Sequence, residues 1–143
     1  MKTKLQISLT VIFISMLLIS CVNSGKKNSE QSKANEPVYE LDETFLKDYR
    51  SNQVGADNKY KNKLFRIKGN ITEFSNIGGP TVHVYVSEID GTALCHFDES
   101  KSNEVGNLQG GQKVVIEGVF TDMITSVNFQ DCVIKEVKST ENN

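Results

Sequence analysis

Leu64-Phe65-Arg66-Ile67-Lys68-Gly69-Asn70-Ile71-Thr72 is the stretch that decides the fold of this chain. Phe65, Ile67, Gly69 and Ile71 fall on one side of an extended backbone, with Arg66, Lys68, Asn70 and Thr72 on the other. Side chains of a strand alternate between faces, so this period of two spells a half-buried strand. Gly69, in the middle of the apolar side, suits the sharp coil that a small closed sheet needs there.

The same period recurs downstream. Val82, Val84 and Val86 share a face opposite His83, Tyr85 and Ser87. Ala93, Cys95 and Phe97 alternate with Leu94, His96 and Asp98. Val114, Ile116, Gly118 and Phe120 alternate with Val115, Glu117, Val119 and Thr121. Val127 and Phe129 open a last strand whose phase slips near Asp131, so that Cys132 and Ile134 take the inward face. Turns are marked by residues 76–80, by Asp90-Gly91 and by Gln109-Gly110-Gly111. Ser100 to Leu108 reads as a short helix or turn capped by Ser100 or Ser102. Upstream, Asp42 is an N-cap with Glu43 in the first turn, and Leu41 and Leu46 stand at staple positions. Phe45, Leu46, Tyr49 and Val54 form the apolar stripe of a helix extending to Ala56 or Tyr60, weakened at Gly55. Five short strands with a helical piece between the third and fourth match an OB-fold. The expected architecture is a mainly-β, five-stranded Greek-key barrel with an N-terminal helix, over residues 42–138.

What precedes this domain reads differently. Lys2 and Lys4 make a positive start, and an apolar stretch runs from Leu5 to Ile19, broken by Gln6, Ser8, Thr10 and Ser15. It falls short of the roughly 20 apolar residues of a membrane span and fits a secretory signal peptide. Leu18-Ile19-Ser20-Cys21 resembles a lipobox, the signature of bacterial lipoproteins. That resemblance implies a signal peptide over residues 1–20, cleavage before Cys21, and a diacylglycerol thioether on Cys21. The protein would then be tethered to a membrane through that lipid and face away from the cytoplasm, toward the periplasm or the cell surface. Residues 21–41 form a polar tether with too little apolar surface to order itself, and residues 139–143 a disordered tail. With the leader removed, 14 basic residues face 18 acidic ones, a net charge of −4. Nucleic acid is disfavoured as a partner by that balance, since it normally asks for a basic footprint.

A second resemblance covers roughly residues 45–137. Residues 56–63 leading into Phe65–Ile71, then Ala93-Leu94-Cys95-His96-Phe97, Leu108-Gln109-Gly110-Gly111-Gln112-Lys113-Val114 and Asp131-Cys132-Val133-Ile134 resemble, in that order, the tRNA-anticodon-binding-like OB-fold proteins. Many of those are bacterial lipoproteins, and their functions are largely unassigned. The family name records a likeness of fold to nucleic-acid binders, and fold alone licenses only analogy. The usual order of such a barrel sets strand three beside strand five. Cys95 and Cys132 would then both face inward on neighbouring strands, which makes them candidate disulfide partners in an oxidising compartment. The alternative is two buried free thiols acting as small apolar residues.

Cys95 and His96 are adjacent, but neighbours on a strand point to opposite faces and cannot form a nucleophile–base dyad. No nucleophile elbow, phosphate loop or metal-ligand spacing is present, so no enzyme activity, cofactor or metal is expected. If Asp90-Gly91 is a two-residue hairpin turn, Tyr85 lies opposite His96 and His83 opposite Asp98. The same register pairs Val86 with Cys95 and Val84 with Phe97. His83, Tyr85, His96 and Asp98 would then cluster on the outer face where OB-folds bind ligands, as a small surface that is pH-responsive or metal-binding, or as an ordinary polar face with favourable cross-strand pairs. Lys59, Lys61, Lys63, Arg66 and Lys68 could track phosphates, yet the face offers only Tyr85 for stacking. The expected function is a membrane-anchored module binding an envelope protein, glycan or small ligand. The alternative is an OB domain for single-stranded nucleic acid or another polyanion.

Overall fold

The computed structural model describes residues 37–138, so the leader, Cys21, the tether up to residue 36 and the tail from residue 139 lie outside the described residues. The order of elements is β1 (Tyr39–Glu40), α1 (Glu43–Ser51), α2 (Gln53–Tyr60), β2 (Leu64–Ser75), β3 (Thr81–Val86), β4 (Gly91–His96), α3 (Ser102–Gly106), β5 (Lys113–Met123) and β6 (Val127–Lys138). Single 3₁₀ turns at Ser87–Ile89 and Glu99–Lys101 flank β4. β2 pairs with β3, β3 with β4, β4 with β6 and β6 with β5, and β5 returns to β2. The circuit is a closed five-stranded barrel with the order and helix placement of an OB-fold, and its β4–β6 neighbours are parallel.

The inward residues of the five strands are those the alternation marks: Phe65, Ile67, Ile71, Val82, Val84, Val86, Ala93, Cys95, Val114, Ile116, Phe120, Val127, Phe129 and Cys132 are buried. In β6 the alternation breaks between Phe129 and Cys132. Asp131 adopts a left-handed backbone (φ 52°), and the pairing with β5 shifts there. This bulge returns Cys132 to the interior, as expected from the sequence. β2 carries a further bulge between Ile71 and Glu73.

One end of the barrel is closed by aromatic rings. Phe65, Phe120 and Phe129 from the strands meet Phe45, Tyr49 and Tyr60 from the helices, with centroid separations from 4.8 to 6.4 Å. Near the far end of β2, Val105 and Leu108 pack into the same core. Asp42 caps α1, its carboxylate accepting from the Thr44 and Phe45 amides at 2.9 and 3.1 Å, which contributes about 1 kcal/mol.

Three expectations need correction here. The single helix is two: Asn52 leaves helical geometry (φ −162°, ψ 92°), ends α1, and caps α2 by accepting from the Gly55 amide. Val54 therefore turns outward and is 71 % exposed, leaving the apolar stripe to Phe45, Leu46, Tyr49, Ala56 and Tyr60. The ordered domain also begins before Asp42: Tyr39 and Glu40 pair in parallel with Phe65 and Arg66, and the Tyr39 ring stacks on Phe65 at 5.4 Å. Finally, Asp98 caps the turn before α3 through the Ser100 amide, in place of Ser100 or Ser102.

The helical hairpin is bolted by buried phenols. Tyr49 donates to Asp57 and Tyr60 to Asp48, each at 2.6 Å, and Lys59 reaches Asp48 at 2.7 Å. Desolvation, then the carboxylate partner, pushes both phenols above the ordinary tyrosine range. The Lys59 and Tyr60 hydrogen bonds hold Asp48 below the usual carboxylate range.

Candidate functional site

The outer face of β2, β3 and β4 is built as three rungs. Asn70, Tyr85 and Thr92 lie across from one another, then Glu73, His83 and Leu94, then Ser75, Thr81 and His96. The expected cluster is therefore rearranged. His83, Tyr85 and His96 do share one face, but Tyr85 faces Thr92, and His96 faces Thr81. Tyr85 and His96 are separated by about 13 Å of strand rise, beyond side-chain contact. Asp98 lies past the end of β4 and caps a turn instead of facing His83.

Ile89 is the physical reason. It is buried at 7 % exposure, and the chain curls through the 3₁₀ turn to bring it inside. Asp90, left-handed at φ 45°, ends that turn instead of sitting at its centre. The connection therefore uses four residues, and Val86 pairs with Gly91. Partner positions move by four, an even number, so each residue keeps its face while its neighbours change.

Each side chain has a new partner. The Tyr85 hydroxyl donates to Asp90 Oδ1 at 2.8 Å, and that bond raises the phenol above its ordinary range. Thr81 Oγ1 lies 2.9 Å from His96 Nδ1, and Thr81 itself is buried. Glu73 takes the place expected for Asp98, with Oε2 3.5 Å from His83 Nδ1. The sequence held a signal for Glu73: after Ile71 the next apolar residue is Phe74, three positions on, the same spacing that marks the bulge between Phe129 and Cys132. Among the described residues, no three His, Cys, Asp or Glu side chains gather so that they could hold a metal ion.

The basic cluster is largely spent on carboxylates. Arg66 Nη2 lies 2.8 Å from Glu117 Oε1, and Arg66 Nη1 3.3 Å from Glu40 Oε1. Lys68 reaches Glu40 at 2.9 Å, and Lys135 reaches Glu117 at 3.3 Å. Charges alternate in sign along this network, which ties β1, β2, β5 and β6 together. Lys59 is engaged on the helices by Asp48. A groove of about 260 Å³ beside Asn70 is also of mixed sign, lined by Lys68, Lys113 and Lys138 with Glu88 and Glu136.

Arg66 foremost, with Lys135, holds the Glu117 carboxyl below its usual range against the opposing effect of burial. A depressed carboxyl contributes stability above its unfolded pKa of about 4.3, and that stability is lost as pH falls through the folded value. Glu117→Gln is expected to cost about 1–2 kcal/mol at neutral pH. It should also flatten the loss of stability below about pH 4.5. Urea midpoints measured from pH 7 to 3 check this; an unchanged acid slope would show that the network does not couple to folding.

Cys95 is fully buried on the inner face and His96 is on the outer face, so the two form no dyad. The Cys132 partner, then burial, raises the Cys95 thiol well above its ordinary value.

A crystal structure of a "putative nucleic acid-binding lipoprotein" from Klebsiella pneumoniae subsp. pneumoniae superposes with a TM-score of 0.57 at 21 % identity, over 71 % of this chain and 92 % of that one. At that identity the likeness is one of fold. No curated protein matches the sequence significantly. The tRNA_anti-like family matches residues 1–134, most of the sequence. With the barrel order and the helix between its third and fourth strands, that match shows that the chain belongs to the tRNA_anti-like family.

Proposed function

We propose that this chain is an extracytoplasmic binding module, anchored by lipid on Cys21, that takes a protein or glycan on the outer face of β2, β3 and β4 and does not transform it. The observation that carries this reading is the makeup of that face. One aromatic ring, Tyr85 at 39 % exposure, stands among Asn70, Thr92, Leu94 and His83, while Arg66 and Lys68 on the same strand are already paired with carboxylates. A ring beside amide and hydroxyl groups suits a sugar face or a polar peptide, and single-stranded nucleic acid asks for several rings and unpaired cations. The lipobox supports the anchor, and the Klebsiella neighbour is itself a lipoprotein by name. No helix among the described residues is long and apolar enough to cross a membrane.

The neighbour's name also favours a second reading, single-stranded nucleic acid on the same face. Titration with oligothymidylate and with soluble envelope glycan fragments, at about 50 mM and then higher salt, separates the two. The expected result is no oligonucleotide binding, and glycan binding that weakens by about tenfold in Tyr85→Ala. Oligonucleotide affinity whose logarithm falls linearly with the logarithm of salt would replace the first reading with the second. In the same preparations Cys21→Ser should move the protein from the membrane to the soluble fraction.

A further inference from the structure

The seam between β4 and β6 is the shortest in the barrel. It holds three residue pairs, Ala93–Val127, Leu94–Asn128 and Cys95–Phe129, against five to nine at the other seams. Cys95 is in the last of those pairs. Beyond it β6 passes through Gln130 and the left-handed Asp131, and the bulge turns Cys132 back inside. Both cysteines are buried, at 0 and 2 % exposure, and Cys132 is near enough to raise the Cys95 thiol above its ordinary value. The sulfur of Cys132 lies over Gly118, where a Cβ would stand 2.7 Å from it, so the missing side chain makes the room. Two buried cysteines from neighbouring strands thus stand at the end of the shortest seam.

We propose that Cys95 and Cys132 are joined by a disulfide that staples β4 to β6 in the protein outside the cytoplasm. The inference rests on the extracytoplasmic placement proposed above, because a reducing cytoplasm would keep the thiols free. The oxidant is a protein or small-molecule disulfide. One thiolate attacks it to give a mixed disulfide, and the second cysteine displaces the oxidant's sulfur. The new bond forms between the two cysteine sulfurs, and the oxidant takes up two electrons and two protons, leaving as a dithiol if it is a protein disulfide or as two thiols if it is a small molecule. Burial makes the folded, reduced chain slow to react, so the bond forms while the chain folds.

Two samples of the full chain test this. One is isolated from cells directly into denaturing, alkylating buffer. The other is unfolded, reduced and refolded in a mixture of oxidised and reduced glutathione before alkylation. Tryptic digestion places Cys95 in the peptide 69–101 and Cys132 in the peptide 114–135. Both samples should yield these two peptides linked, two hydrogens lighter than their separate thiol forms combined. Reductant should then lower the melting temperature by roughly 10–20 °C. Alkylated, unlinked peptides from the refolded sample would overturn the pairing itself. Linkage after refolding with free thiols in the cellular sample would overturn the proposal for the native protein. Whether that protein then fractionates with membrane or cytosol shows if the placement has failed with it.

Discussion

Phe65→Ala is expected to destabilise the domain by about 3–5 kcal/mol, enough to leave a domain of this size partly unfolded near room temperature. Phe65 has no exposed surface, and its ring centroid lies 5.4–5.8 Å from those of Tyr39, Phe45, Tyr60, Phe120 and Phe129. Each ring pair adds about 0.5–1.5 kcal/mol beyond the area it buries. Truncation also leaves a cavity between strands and helices, which can collapse only by moving one against the other. Phe65→Leu fills most of that volume and should cost less than half as much. Urea unfolding followed by circular dichroism checks both variants. A Phe65→Ala midpoint close to that of Phe65→Leu would show that the helices do not depend on this ring.

The second large effect is expected at Gly69. A Cβ there would stand 2.1 Å from the carbonyl oxygen of Tyr85 and 2.7 Å from Val84 Cγ1. The first of these is backbone, so no rotamer change relieves it; β2 or β3 must move, at the place where β2 leaves β5 and begins to pair with β3. Gly69→Ala should cost about 3 kcal/mol or more, and Gly69→Val should prevent folding. Gly110→Ala is the control. Its Cβ would meet nothing within 4 Å, and its backbone is not in the left-handed region. It should stay within about 0.5 kcal/mol of the wild type. Gly69→Ala melting alongside Gly110→Ala would remove the close approach from the account of the barrel.

The face presented by each strand was legible because burial follows a period of two, and a short sequence displays that period directly. The bulge at Asp131 was legible for the same reason, as an apolar spacing of three; the equal spacing from Ile71 to Phe74 marks the bulge that brings Glu73 to His83. The break at Asn52 was harder to read. Val54 sits at a helical spacing of four from Arg50, which suits either a continuous helix or a restart, and only the Asn52 cap chooses between them. β1 escaped because two residues carry no period, and Tyr39 and Glu40 become a strand only against the free edge of β2.

The sequence by itself determined the five barrel strands, their inward residues and the helix start at Asp42, since local alternation and capping encode these within a few residues. It also placed His83, Tyr85 and His96 on one outer face. Only the tertiary structure decided which of them are neighbours. Register across β3 and β4 depends on how many residues the connection consumes, and that number was set by Ile89 finding a place in the core. It likewise decided that Arg66 and Lys68 would meet carboxylates. Glu117 lies 51 residues from Arg66 in the chain and 2.8 Å from it in space, a pairing that the closure of β5 onto β2 creates.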